Sequence, residues 1–229
     1  MTNSLVVSGF VLAIMVFVGM SVKKRLAVIP GSLQNFVEFA LEGLMNLMDS
    51  VLGKREKTEK YLPLIATIFG VVLIANWLGL LPGVGSLGIY ELHGGKEVFV
   101  PFFRAPSADL NFTLGVALIA VIGVNFFGIL SAGFFRYANR FFTLKNPIHT
   151  FVGLLEFISE FAKMISFSFR LFGNVFAGEV LLTIIGVLAP YFIPLPFLFM
   201  EIFVGFIQAF VFATLTLVFV SIATAEAEH

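Results

Sequence analysis

The sequence predicts an all-α membrane protein. Five helices cross the membrane, one amphipathic helix lies on the cytoplasmic surface, and the last two crossing helices form a long, steeply tilted hairpin. Three observations predict it. First, 59% of the 229 residues are hydrophobic, 30 of them Phe, and mean hydropathy is +1.02. Only 12% are charged, against about 25% in a soluble domain, and a soluble fold of this length lacks the interior to hide so much apolar side chain. Second, uncharged runs recur at the roughly 20 residues needed to span about 30 Å of hydrocarbon. Third, the 14 Lys and Arg residues segregate along the chain. An ordinary cytoplasmic enzyme, a disordered chain and a disulfide-built secreted domain are excluded. With no Cys, thiol chemistry and thiolate metal sites are excluded. A net charge of zero offers no basic field to nucleic acid.

The whole chain, 1–229, reads as one membrane domain. Residues 1–22 form the first crossing. Lys23, Lys24 and Arg25 follow this apolar run instead of preceding it, so it is a retained span and not a cleaved signal peptide. The positive-inside rule then places the N-terminus outside. Residues 32–53 carry Leu33, Phe36, Val37, Ala40, Leu41, Leu44, Met45, Met48 and Val51 at helical spacing, with Glu38, Glu42, Asn46 and Asp49 between them. This helix lies along the membrane surface or packs on a neighbouring subunit. Residues 54–60 read as a solvated loop. The second crossing is 61–81, ended by Pro82 and Gly83. An outer loop covers 82–109, and the third crossing is 110–135.

Residues 147–189 contain no Pro after Pro147. One helix of that length would reach roughly 60 Å, twice the hydrocarbon thickness, so it must tilt. Tyr191, Pro194 and Pro196 mark a turn, and 197–225 is the last tilted helix, leaving the C-terminus cytoplasmic. The cytoplasmic segments of this topology hold Lys23, Lys24, Arg25, Lys54, Arg55, Lys57, Lys60, Arg136, Arg140 and Lys145; the outer loop holds only Lys96 and Arg104. No internal repeat supports an inverted-repeat transporter plan.

The fourth crossing carries an ordered polar stripe. Glu156, Lys163 and Arg170 are seven apart, with Ser159, Glu160, Ser166 and Asn174 at three- and four-residue offsets. Seven residues fall about 20° short of two turns, so the stripe drifts slowly along one face. Glu179, nine residues past Arg170, faces the opposite side about 13 Å further along. In the last helix Glu201 and Gln208 share a face. An Arg within a membrane helix costs about 2.5–3.5 kcal/mol on insertion scales. Arg170 therefore faces a protein interior or an aqueous path, the alternatives being a structural ion pair or a snorkelling side chain, and its partner within the helix is not Glu179. Glu160 and Lys163 read as a structural i, i+3 pair. Glu156 reads equally well either way. Glu179 and Glu201 have no basic neighbour in sequence and point to ion movement, whereas a buried Gln such as Gln208 often only bonds a neighbouring helix. His93, His149 and His229 are scattered, in loops or at the terminus, and suggest no metal cluster or cofactor.

The segment Ser168-Phe-Arg-Leu-Phe-Gly-Asn-Val-Phe-Ala-Gly-Glu179 closely resembles the signature of the subunit a family of F-type ATP synthases. Pro30-Gly-Ser-Leu-Gln-Asn-Phe-Val-Glu38, Asn76-Trp-Leu-Gly-Leu-Leu-Pro-Gly83, Arg104-Ala-Pro-Ser-Ala-Asp-Leu-Asn111 and Gly205-Phe-Ile-Gln-Ala-Phe-Val-Phe212 match in order, so the resemblance covers nearly the whole chain. It implies a stator channel beside a rotating ring of c subunits, with peripheral-stalk b subunits and the rest of the synthase as partners, in a bacterial inner membrane. Two offset half-channels would carry H⁺, or Na⁺ as in some relatives, to and from a carboxylate on each ring subunit. The family's essential Arg matches Arg170; its polar neighbours match Asn174 and Gln208. The outer-path acidic positions match Glu179 and Glu201, and inner-path positions match Glu156 and Ser166. Many bacterial relatives have His where this chain has Glu201. The competing readings are an autonomous channel or secondary transporter, and a non-transporting scaffold. No Gly-x-x-x-x-Gly-Lys-Ser/Thr loop is present, so nucleotide chemistry belongs to a partner and the chain is not an enzyme alone.

Overall fold

The computed structural model describes residues 3–24, 30–81, 83–85, 87–93, 96–141, 147–189 and 191–225. Arg25, Pro82, Lys145 and His229 lie outside the described residues. Seven α-helices and one two-stranded hairpin follow in chain order: α1 (Asn3–Lys24), α2 (Ser32–Leu52), α3 (Arg55–Gly79), β1 (Gly88–His93), β2 (Lys96–Pro101), α4 (Leu110–Ala132), α5 (Phe134–Phe141), α6 (Pro147–Leu188) and α7 (Pro194–Ala225). Five of them, α1, α3, α4, α6 and α7, are long and apolar enough to cross a membrane.

Lipid, not water, selects the packing. Apolar burial gives little drive between helices inside a bilayer, so close contact depends on small residues and interhelical hydrogen bonds. α4 shows the pattern. Ala117, Ala120, Val124 and Gly128 face inward, whereas Leu118, Ile119, Ile122, Phe126 and Leu130 are exposed. A Cβ at Gly128 would press on the Tyr137 ring, and one at Gly123 would meet Leu64. The bundle is built on α3 and α7. One cluster joins Leu44 and Met48 of α2 to Tyr61, Ile65, Val124, Ala213 and Leu217. The other joins Ile68, Val72, Ala117, Ala120, Phe167, Leu171, Ala209 and Phe212.

Four boundaries differ from the sequence expectation. The segment 54–60 is not a solvated loop: α3 begins at Arg55, and Arg55 pairs with Asp49 at 2.6 Å, tying α2 to α3. The charged first turns extend the helix beyond its apolar run. The third crossing stops at Ala132, where Gly133 adopts φ 83°, a conformation that favours Gly. The residues beyond it start the separate helix α5. α7 begins at Pro194, because Pro is tolerated in a first helical turn. The region 82–109 is more than a loop. It contains the antiparallel β1–β2 hairpin, in register from Gly88↔Pro101 to His93↔Lys96. It also contains a 3₁₀ turn, Pro106–Ala108, buried in the bundle. His93 and His149 lie in β1 and α6, not in loops.

α6 has 42 residues and α7 has 32, about 63 Å and 48 Å long at 1.5 Å per residue. Neither can stand upright in about 30 Å of hydrocarbon. α6 is also the barest helix: over most of its length only Gly153, Phe167, Ser168, Leu171 and Gly178 are buried.

Candidate functional site

Arg170 sits mid-way along α6, exposed, and among the described residues it forms no ion pair or hydrogen bond. Ser166, Phe169, Gly173, Asn174 and Ala177 surround it on the same exposed face. Behind it Phe167 packs on Phe212 with ring centroids 4.8 Å apart.

The opposite side of α6 borders a cavity of about 430 Å³. It reaches from Leu80, Leu81, Gly83, Val84 and Gly85, beyond the end of α3, down to Asn174 and Gln208, with Glu179 and Glu201 between. Four of the sequence-predicted site residues therefore share one space: Asn174, Glu179, Glu201 and Gln208. Arg170, Glu156 and Ser166 do not line it. Asn174 bridges the two regions. It stands one turn beyond Arg170, and its amide donates to Gln208 Oε1 at 2.7 Å.

Three helices shape the cavity. Glu201 is buried although α7 otherwise turns large apolar groups to the outside at Phe199, Phe203 and Phe206. Its carboxyl lies against Gly178, where any Cβ would collide with it. Gly178 thus brings Glu201 beside the backbone that carries Glu179. Asn76 of α3 donates to the Gly205 carbonyl at 2.9 Å, and the adjacent Trp77 ring N–H donates to the Ile202 carbonyl at 3.1 Å. These bonds hold α7 against α3 at the level of Glu201 and Gln208. Gly205 permits the approach, since a Cβ there would lie 3.2 Å from Asn76.

Asn76 Oδ1, Glu179 Oε2 and Gln208 Nε2 are buried and have no protein partner among the described residues. All three residues line the same cavity. Unpaired polar atoms in lipid cost several kcal/mol each, whereas a polar cavity of this size holds several waters at about 30 Å³ apiece. Both carboxyl-bearing residues, Glu179 and Glu201, border that space. Asn76 is the site residue that sequence reasoning missed. The signal was a lone amide inside the otherwise apolar 61–81 run.

A second polar cluster lies toward the α2 end of the bundle. Lys163 Nζ donates to Glu160 Oε1 at 2.6 Å, Asn125 donates to Glu160 Oε2 at 3.3 Å, and Tyr137 donates to Asn125 Oδ1 at 2.8 Å. Lys163 also stands 4.8 Å over the Phe219 ring. The i, i+3 pair expected from sequence therefore ties α4, α5, α6 and α7 together. Glu156 is half-buried and Ser166 exposed on the same helix, apart from the large cavity.

Comparison with known proteins accords with this geometry. Residues 3–221 match the family described as ATP synthase A chain. The chain is 35% identical over 219 residues to ATP synthase subunit a of Campylobacter jejuni subsp. doylei, covering 94% of this chain and 87% of the relative. It is 34% identical over 216 residues to the Campylobacter concisus protein of that name, with coverages of 94% and 87%. With that of Campylobacter hominis it shares 34% over 221 residues, covering 96% and 88%. Matched over nearly its whole length, this polytopic helical bundle belongs to the ATP synthase A chain family, as an ion-translocating membrane-sector subunit that is not catalytic alone.

Proposed function

We propose that the chain is the stator channel of an F-type ATP synthase, carrying protons through two offset half-channels to and from the carboxylates of a rotating c ring. The observation that carries this reading is the division of α6. One side bears a guanidinium with no partner among the described residues; the other borders a cavity with two carboxyls.

The chemistry suits each role. Arg keeps its proton at any physiological pH. It attracts a deprotonated ring carboxylate, and no proton can hop through it, so it separates the half-channels. Glu179 and Glu201 can accept and release protons, and the cavity around them forms the outer half-channel, opening at the hairpin end. Asn174 and Gln208 close its inner limit beside Arg170. Glu156 and Ser166 belong to the inner path on the α2 side. The small residues Ser166, Gly173 and Ala177 around Arg170 let a ring helix approach closely. The N-terminus is outside, the C-terminus cytoplasmic, and b subunits of the peripheral stalk complete the stator. The membrane is the bacterial inner membrane. Each proton falling through 100 mV supplies about 2.3 kcal/mol, so several are needed per nucleotide.

ATP-driven proton pumping by the whole complex in vesicles tests the reading. Arg170→Ala abolishes pumping. Glu179→Gln and Glu201→Gln each lower it by about 10²–10⁴-fold, as expected for a lost proton-transfer group. Wild-type pumping by Arg170→Ala would overturn the reading, and pumping that requires Na⁺ would overturn the assignment of the ion.

A further inference from the structure

Directly behind Arg170, two hydroxyls meet inside the bundle. Thr113 Oγ1 of α4 and Ser168 Oγ of α6 are 2.9 Å apart, and both residues are fully buried. Thr113 Oγ1 also donates to the Leu110 carbonyl at 3.1 Å. Either hydroxyl can donate in the Thr113–Ser168 bond; where Thr113 gives its proton to Leu110, Ser168 is the donor. Neither the cavity nor the Glu160–Lys163 cluster includes this pair.

We propose that Thr113 is a positioning residue for Arg170: its hydrogen bond with Ser168 sets the rotation of α6 about its axis, and hence the direction in which the guanidinium points. Ser168 and Arg170 are two residues apart, about 200° around the helix, so a contact at one aims the other away from the bundle. The surrounding packing of Phe167 and Leu171 on Ala117, Ala120 and Phe212 is wholly apolar. Such packing adapts to modest rotation, whereas a hydrogen bond between hydroxyls is directional. Other side-chain hydrogen bonds join α6 to its neighbours, Asn125–Glu160 before Ser168 and Asn174–Gln208 after it; the Thr113–Ser168 bond lies between them, two residues from Arg170. Thr113 is itself anchored. Its backbone N–H bonds the Asp109 carbonyl at 3.2 Å, and the Asp109 carboxylate accepts from Ser4 of α1. The rotation of α6 is thus referred to the static side of the bundle. This inference rests on the reading of Arg170 as the charge facing the rotor.

The test uses the whole complex in vesicles and five variants: Thr113→Val, Ser168→Ala, the double variant combining these two, Thr113→Ser and Arg170→Ala. Protons pumped per ATP hydrolysed and passive proton leak are measured per assembled complex. Thr113→Val and Ser168→Ala each lower coupling by about three- to tenfold, the range expected for one lost interhelical hydrogen bond in lipid, and raise the leak. Thr113→Ser, which keeps the hydroxyl, retains wild-type coupling. The double variant is no worse than either single one, because both remove the same bond. Unchanged coupling per assembled complex in Ser168→Ala overturns the proposal, even if Thr113→Val fails to assemble. So does a Thr113→Ser variant as uncoupled as Thr113→Val. If those results occur while Arg170→Ala still abolishes pumping, only this inference falls. Intact pumping by Arg170→Ala removes the functional reading and this inference with it.

Discussion

A methyl group at position 178 would occupy the space that the Glu201 carboxyl takes against α6. Ala is the better helix former by about 1 kcal/mol, so Gly178→Ala should leave the thermal stability of the complex unchanged or raised. Its ATP-driven proton pumping should nonetheless fall by about tenfold to a hundredfold, since misplacement of a reacting group by about 1 Å carries a penalty of that order. Pumping equal to wild type would show that the nested position of Glu201 is irrelevant. Gly178 could not be recognised as a site residue from sequence, because its role is an empty space set by a different helix. The opposed directions of Arg170 and Glu179 could be, because they follow from 100° per residue within one helix. Asn174 and Gln208 lie between these cases. Each is visibly polar in an apolar run, but only the packing of α6 on α7 reveals that they bond each other.

Among the helices, the spans followed directly from uncharged runs, and their ends were obscured wherever charge and helix continue together. The first turns of α3 hold Arg55, Glu56, Lys57, Glu59 and Lys60, which read as solvent-facing loop because nothing in the sequence shows that Arg55 reaches Asp49. The β1–β2 hairpin had a usable signal in Gly94-Gly95 between two runs rich in β-formers. The start of α4 offers a test by pH. Burial raises the Asp109 carboxyl, but the Ser4 hydroxyl, the Asn111 groups and Arg104 together hold it below its usual range. A lowered carboxyl stabilises the fold above the unfolded value, about 3.9, and that contribution is lost as pH falls through the lower folded value. Hydrogen-exchange protection in the first turns of α1, relative to the intrinsic rate at each pH, should therefore fall below about pH 4, and Asp109→Asn should flatten this dependence. An unchanged acid response in that variant would show that the Ser4–Asp109 contact does not fasten α1. Where α3 meets α7, Gly205→Leu should lower the melting temperature, at a cost of about 1–3 kcal/mol for overpacking. A melting temperature at or above wild type would contradict the close approach seen there.

Among the described residues, many large apolar side chains face outward, Phe17, Phe126, Phe169 and Phe203 among them, as a bilayer permits. That much was readable from composition, because 30 Phe residues cannot all be interior. The cavity was not, since its wall combines α3, α6 and α7 with Leu80, Leu81, Gly83, Val84 and Gly85. On the proposed reading, its separation from Arg170 makes it one half of a pathway: a proton entering it has no continuous route past the fixed charge unless a neighbouring ring moves. The most direct measurement is proton flux into liposomes under an imposed membrane potential, with the purified chain alone and with the chain joined to its c ring. The account predicts no flux above the lipid background for the chain alone, and clear flux once the ring is present. Rapid flux through the chain alone would contradict it and identify an autonomous channel.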